Sequence, residues 1–435
     1  MQHNQPWRRS IGVIAMAIVL MTNNGAWAAS NFKVLHSFPN NDGKDGDEPT
    51  GALVLDGADN LYGTTTSGGM YSKACDGGCG VVFKMSLDAH GAWAESVLHS
   101  FNARVDGEYP EAGLTFDTHG DLYGTTSSGM DNNDGGTVFE LTPDSGSPSG
   151  WTTTVIHRFC HNFHGCKDGS NPDLSGVVID SGGRLFGTTR QDGINQGGVA
   201  YRLAPTNKGW KETILYSFCA EQDCGDGFIA ADATPILDKS DNLYGTAEEG
   251  GLSACSLGCG LVFEVNHTST GWEEVILYEF HGSDGETPFG GLVFDSQGNI
   301  YGTTQAGGKN GSGTVFKLTP AGDGSWKHAI LYDFPQFKNG AGPVSTLTLD
   351  KAGNLYGTAA GGIGPCSGGC GVVYKLAPGS NGKWTYTVLH RFTDAANDGA
   401  EPYATPVFDR TGKHLYGTTA FGGTDNQGVV YEITP

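Results

Sequence analysis

No window of the 435 residues sustains a helical hydrophobic period, which excludes helical bundles and architectures that alternate strands with helices. Basic residues are scarce. Lys and Arg total 25 against 47 Asp and Glu, and the formal charge of −22 argues against a nucleic-acid or anionic-membrane partner. Beyond the first 28 residues there is no apolar run that would anchor the chain in a bilayer. Nucleophile motifs, phosphate-binding loops and dinucleotide fingerprints are also missing. The Gly-rich stretches recur at the period of the whole chain and read as turns.

What the chain does contain is repetition. An aromatic residue precedes Gly-Thr seven times: Tyr62-Gly63-Thr64, Tyr123-Gly124-Thr125, Phe186-Gly187-Thr188, Tyr244-Gly245-Thr246, Tyr301-Gly302-Thr303, Tyr356-Gly357-Thr358 and Tyr416-Gly417-Thr418. Successive spacings run from 55 to 63 residues, slightly longer than known propeller-blade periods. Four segments surround each copy, as between Pro288 and Phe334: Leu292 to Asp295, Asn299 to Thr304, Gly313 to Leu318 and Trp326 to Phe334. Each is strand-length, rich in β-branched and aromatic residues, and bounded by Gly, Asn, Asp or Pro. The expectation is an all-β, seven-bladed β-propeller of four-stranded antiparallel blades. The last repeat stops after its third strand, while Val34 to Phe38 matches the fourth strands at Val97 to Phe101 and Val388 to Phe392. The N-terminal strand is therefore expected to close the ring by pairing with the last blade.

Recurrent residues read as architecture. Asp56, Asp117, Asp180, Asp238, Asp295, Asp350 and Asp409 end the first strands and suit turn capping. The glycine after each aromatic is expected to admit a neighbouring sheet closely. Trp93, Trp151, Trp210, Trp272, Trp326 and Trp384 begin fourth strands and read as packing residues. His or Tyr at His36, His99, His157, Tyr216, Tyr278, Tyr332 and His390 falls on the outermost strand, where catalysis is not expected.

Arg8 and Arg9, an apolar run from Ile11 to Met21 and Ala26-Trp27-Ala28 form the pattern of a secretory signal over residues 1–28. Residues 29–435 are expected to be one exported propeller, monomeric and without a membrane span. Ten cysteines fall into close pairs suited to local disulfides: Cys75 with Cys79, Cys160 with Cys166, Cys219 with Cys224, Cys255 with Cys259 and Cys366 with Cys370. All five lie in second-to-third-strand or inter-blade loops, which emerge on one face. Asp-Gly-x-x-Pro recurs in those inter-blade loops and makes the same face acidic, as in Asp106 to Pro110 and Asp168 to Pro172.

The recurring Gly-Asn-Leu-Tyr-Gly-Thr-Thr, Gly-Val-Val-Phe-Lys-Leu and Trp-to-Phe segments resemble the GloVer (Gloeo-Verruco) extracellular tandem repeat family over essentially all of residues 29–435. The resemblance implies an exported bacterial repeat protein, often surface-anchored at its C-terminus. The sequence to Pro435 shows no anchor, so surface attachment is not expected. No reaction is implied.

A function grafted on a repeat is expected where the repeats differ. The strongest departure is Cys160 to Asp168, which holds His161 and His164 in a disulfide loop beside Asp168, a candidate metal set. Asp223, Asp226, Glu248 and Glu249 in blade four and its entry loop complete a candidate patch. With Asp168 they suit a hard cation such as calcium, which in turn orients a glycan hydroxyl. Two readings follow: an exported binding or scaffold propeller for a glycan or small molecule, and a metal-assisted hydrolase or lyase acting on a carbohydrate or lactone.

Overall fold

The computed structural model describes residues 31–435, apart from 40–43, 71–74, 76, 130–134, 162–164, 231–232, 252–254, 337–338 and 363. The expected signal segment lies outside the described residues. Seven four-stranded antiparallel blades form a ring, and the described helix is confined to one 3₁₀ turn, Gln222–Cys224. Blade five is representative, with strands Val293–Phe294, Ile300–Thr304, Thr314–Pro320 and Trp326–Asp333. Asn31–Ser37 pairs antiparallel with Val429–Thr434, Asn31 opposite Thr434, so the N-terminal strand is the fourth strand of blade seven.

Each residue of the Tyr-Gly-Thr motif has its own structural role. In blade five the Tyr301 hydroxyl donates to Asp295 Oδ2 at 3.1 Å on the turn face. The same carboxylate accepts from Gln297 N, Asn299 N and Asn299 Nδ2 at 2.7–3.0 Å, which confirms the turn-capping role. Burial raises the Asp295 carboxyl, but these bonds outweigh it and hold the group below the ordinary aspartate range. The threonine hydroxyl reaches the next blade: Thr64 donates to the Ala112 carbonyl at 2.8 Å, and Thr418 closes the ring onto the Gly51 carbonyl at 3.4 Å.

The glycine does admit a close neighbour, but that neighbour is a ring in its own blade, not an adjacent sheet. Gly302 stands opposite Phe316 in the register, and a Cβ there would lie 2.5 Å from Phe316 Cζ. The same cross-strand pairing joins Gly63 to Phe83, Gly187 to Tyr201 and Gly417 to Tyr431. These rings are fully buried. Each also meets the last aromatic of the preceding blade, as Phe280 meets Phe316 at 5.1 Å and Phe38 meets Phe83 across the closure at 5.3 Å. The core therefore sits at the blade junctions; one cluster joins Val82 and Phe101 of blade one to Leu122 and Phe139 of blade two. The tryptophans add edge contacts at the same junctions, Trp151 against Tyr62 at 6.1 Å, and are packing residues as expected.

Every fourth strand carries a bulge, in blade one between the pairs Val82–His99 and Phe83–Val97. The extra residue reverses the side-chain alternation. The start of the strand therefore faces the preceding blade and its end faces the following one.

Two outcomes test this account. Removing residues through Phe38 strips the fourth strand from Val429–Thr434, so the truncated protein is expected to self-associate in sedimentation; a monomer with unchanged melting temperature would contradict closure. Gly302→Ala drives a methyl into Phe316 and is expected to destabilise by about 1–3 kcal/mol in denaturant titration.

Candidate functional site

The inter-blade loops are stitched to the second-to-third-strand loops by short antiparallel bridges, including Asp47 with Ser67, Glu108 with Ser128 and Phe228 with Glu249. Both loop sets therefore share one face. All five expected disulfides form, and all lie in these loops.

Many carboxylates of that face are committed to the scaffold. The Asp of Asp-Gly-x-x-Pro latches the His or Tyr of the preceding outer strand: His99 Nε2 lies 2.8 Å from Asp106 Oδ2, and His390 Nε2 lies 2.8 Å from Asp398 Oδ1. Asp226, expected as a ligand-binding carboxylate, is 1% exposed and accepts from Tyr216 Oη at 2.7 Å and from the Ala220 and Glu221 amides. Asp168 accepts from the Cys160 amide at 3.0 Å and lies near His157. It does not join the expected metal set: among the described residues no potential three-ligand group includes His161, which is exposed, and His164 lies outside the described residues. Asp223 and Glu249 do come together. They line a rim pocket of about 550 Å³ with Cys224, Phe228 and Leu257, between two disulfides. Glu248, one residue earlier in the chain, accepts instead from Arg190 Nη2 at 3.3 Å.

Arg190 leads to the channel mouth. In the Asp-Gly-x-x-Pro loops the residue before proline adopts a left-handed conformation, with φ between 56° and 59° at Glu48, Tyr109, Asn171, Thr287 and Glu401. Such strain costs on the order of 1–3 kcal/mol per non-glycine residue and persists only where the surroundings impose it. Here the constraint is a backbone bond to the preceding blade, as from Tyr109 N to the Cys79 carbonyl and Glu401 N to the Cys370 carbonyl. In four of these five loops the residue after proline, Thr50, Glu111, Phe289 or Tyr403, then lines a cavity of about 180 Å³ on the ring axis, joined by Val344 from the Asn339 to Pro343 loop. The position differs in every one of these blades.

Glu111 is the chemical centre of this mouth. Burial, followed by its hydrogen bond to Asp173, pushes its carboxyl well above the usual range, against the pull of Ser127 and Arg190. Arg190 Nη1 lies 2.6 Å from Asp173 Oδ2. Two carboxyl groups and a guanidinium thus stand together over blades two and three. Across the cavity Tyr403 Oη donates to Glu401 Oε2 at 2.8 Å, and burial followed by Glu401 raises the Glu48 carboxyl. The mouth offers donors and acceptors in one small volume, and no lining residue is a histidine or cysteine. The sequence reading missed Asp173, Arg190 and Tyr403 as site residues. The available signal was the position after the recurring proline, which changes from blade to blade while the proline does not.

The outer strands generate a pH prediction. Glu274, on the start of its fourth strand, is raised to about 8 by burial and then by Asp226 and Glu221. Unfolding returns it to the ordinary glutamate value, so the stability it contributes is complete below about 4.5 and is lost as pH rises through about 8. Glu274→Gln is expected to flatten that loss and to melt at least about 2 °C above wild type at pH 9. Parallel melting curves from pH 5 to 9 would contradict it.

Comparison with known proteins adds the family. No curated protein matches this sequence. Among solved structures, PorZ of Porphyromonas gingivalis, described as a bacterial surface component of the type-IX secretion system, covers 92% of this chain at 12% identity with a TM-score of 0.48. The chain spans 48% of that protein. A luciferin-regenerating enzyme covers 93% of this chain and 95% of its own at 12% identity, with a TM-score of 0.42. The profile of the Gloeobacter/Verrucomicrobia repeat matches residues 24–161, 147–364 and 253–435, which together span the whole described propeller. With an aromatic-Gly-Thr motif in each of seven blades of one closed ring, the chain belongs to the Gloeobacter/Verrucomicrobia repeat family.

Proposed function

We propose that this is an exported binding propeller that takes one terminal sugar unit of a glycan at the channel mouth of its disulfide-bearing face. The observation that carries this reading is the cavity on the ring axis, lined at the blade-variable position by Glu111, Thr50, Phe289 and Tyr403. Its volume of about 180 Å³ is smaller than the roughly 300–1,000 Å³ of pockets that enclose drug-sized ligands. That size favours a single ring or a small polyol over an extended chain. Aromatic faces suit the apolar face of a sugar, and Glu111, backed by Asp173 and Arg190, supplies hydroxyl acceptors and donors together with Thr50 and Tyr403. Export agrees with five disulfides, and among the described residues no helix is long and apolar enough to cross a membrane.

A hydrolase or lyase is the second reading, favoured by one observation: Glu111, whose carboxyl is pushed up by burial and by Asp173, lines a cavity where a raised carboxyl can serve as proton donor. A melting-temperature screen over mono- and oligosaccharides, followed by assay of each hit for turnover, separates the two. A true ligand at a hundred times its Kd is expected to stabilise the fold by about 2.7 kcal/mol. Glu111→Ala should abolish the shift, and Asp223→Asn combined with Glu249→Gln in the rim pocket should leave it. The opposite pattern would move binding to the rim and overturn the channel assignment.

A further inference from the structure

His157, Asp168 and Glu212 meet at the junction of blades two and three. His157 lies near the end of the blade-two outer strand, Trp151–Arg158, and Glu212 near the start of the blade-three outer strand, Gly209–Ser217. The bulge turns these two positions toward one another, and Asp168 enters from the connecting loop. His157 Nε2 lies 3.3 Å from Glu212 Oε1 and 3.9 Å from Asp168 Oδ2, and one donor atom from each residue falls within 4.8 Å of the others. The three side chains are largely buried. His157 Nε2 and Glu212 Oε1 are both shielded from solvent and make no hydrogen bond.

At the ring closure the same residue types recur as His36, Asp45 and Glu95, and His36 Nε2 and Glu95 Oε1 are likewise buried without a hydrogen bond, but among the described residues only the His157, Asp168 and Glu212 set brings all three ligand atoms within 4.8 Å. Other junctions close differently. His99 and His390 bond their aspartates at 2.8 Å, and His390 is stacked on Phe32 of the next outer strand at 3.7 Å. At Tyr278 the next strand supplies His328, stacked at 4.2 Å. In blade two the aspartate stands off and a carboxylate replaces the stacking ring. A buried ring nitrogen and a buried carboxylate oxygen facing each other at 3.3 Å are costly unless a proton or a metal ion lies between them.

We propose that His157, Asp168 and Glu212 form a zinc site that staples blade two to blade three. Ligands at about 2.0–2.1 Å from a tetrahedral zinc are separated by about 3.3 Å, the observed spacing of Nε2 and Oε1. One imidazole and two carboxylates suit zinc. Calcium takes six to eight oxygens, which three side chains do not provide. The fourth position is left to water or an exogenous ligand, the arrangement of an open zinc site. The two groups that pair cysteines with Glu108 or Asp192 are different in kind, because their sulfurs are joined in disulfides and are not thiolates.

The test is zinc titration by calorimetry of the mature protein after chelator treatment and dialysis, with cobalt(II) as a spectroscopic probe. Wild type should bind one zinc and give the intense visible bands of a tetrahedral cobalt site. Glu212→Gln and His157→Gln should each weaken zinc binding by at least about tenfold, and His161→Ala should not. If His157→Gln fails to fold, Glu212→Gln and the cobalt spectrum decide. Absence of stoichiometric binding by wild type, wild-type affinity in Glu212→Gln, or loss of binding in His161→Ala would each overturn the site.

Discussion

One contact governs the ring: an aromatic side chain on the third strand of each blade lying over a glycine on the second. Only hydrogen at that glycine leaves space for the ring, since a Cβ would come within 2.4–2.6 Å of it in every blade. The same ring meets the last aromatic of the preceding blade in an edge or tilted contact. Centroid distances at the seven junctions run only from 4.8 to 5.4 Å. Each blade thus sets the position of the next, and the closure through Phe38 is one more copy of the same junction. Losing one such ring from a junction would cost about 3–5 kcal/mol, more than a surface loop can recover.

That uniform interior decides where variation can occur. The turn face is held by capped aspartates, and the inner wall by threonine hydroxyls bonded to the next blade. The disulfide face alone carries long loops. There the residue after proline, placed by the left-handed residue before it, brings a different side chain to the axis from blade to blade. The ring supplies rigidity, and the strained loops convert it into a precisely placed set of unlike groups: Glu111, Phe289, Tyr403 and Thr50. Beside this set Arg190 ties blade three to blade four, because it bonds Asp173 of its own blade and Glu248 of the next.

The outer rim follows a second rule. Its latches join one blade's aspartate to the preceding blade's His or Tyr, so carboxylates that make the surface acidic also tie neighbouring blades together. This dual use explains why Asp168 and Asp226, conspicuous in the sequence, sit apart from the channel. It also makes rim stability responsive to proton uptake by buried glutamates such as Glu95, raised to about 7 mainly by burial, and Glu274.

The sequence by itself determined the blade count, the strand order, the closure by Val34 to Phe38, the turn-capping aspartates and all five disulfides. These are local or periodic properties: a turn, a two-residue alternation or a loop of four to six residues is written in neighbouring positions and repeated seven times. It also marked the face that carries the variable loops, and it picked out Asp223 and Glu249, which do share a pocket. Tertiary structure alone decided the partners of everything else. Glu111 meets Asp173 because two inter-blade loops converge on the axis, His157 meets Glu212 because a bulge reverses the side-chain alternation, and Gly302 faces Phe316 because of strand register. Those distances depend on how whole blades pack and tilt, and no spacing along the chain encodes them.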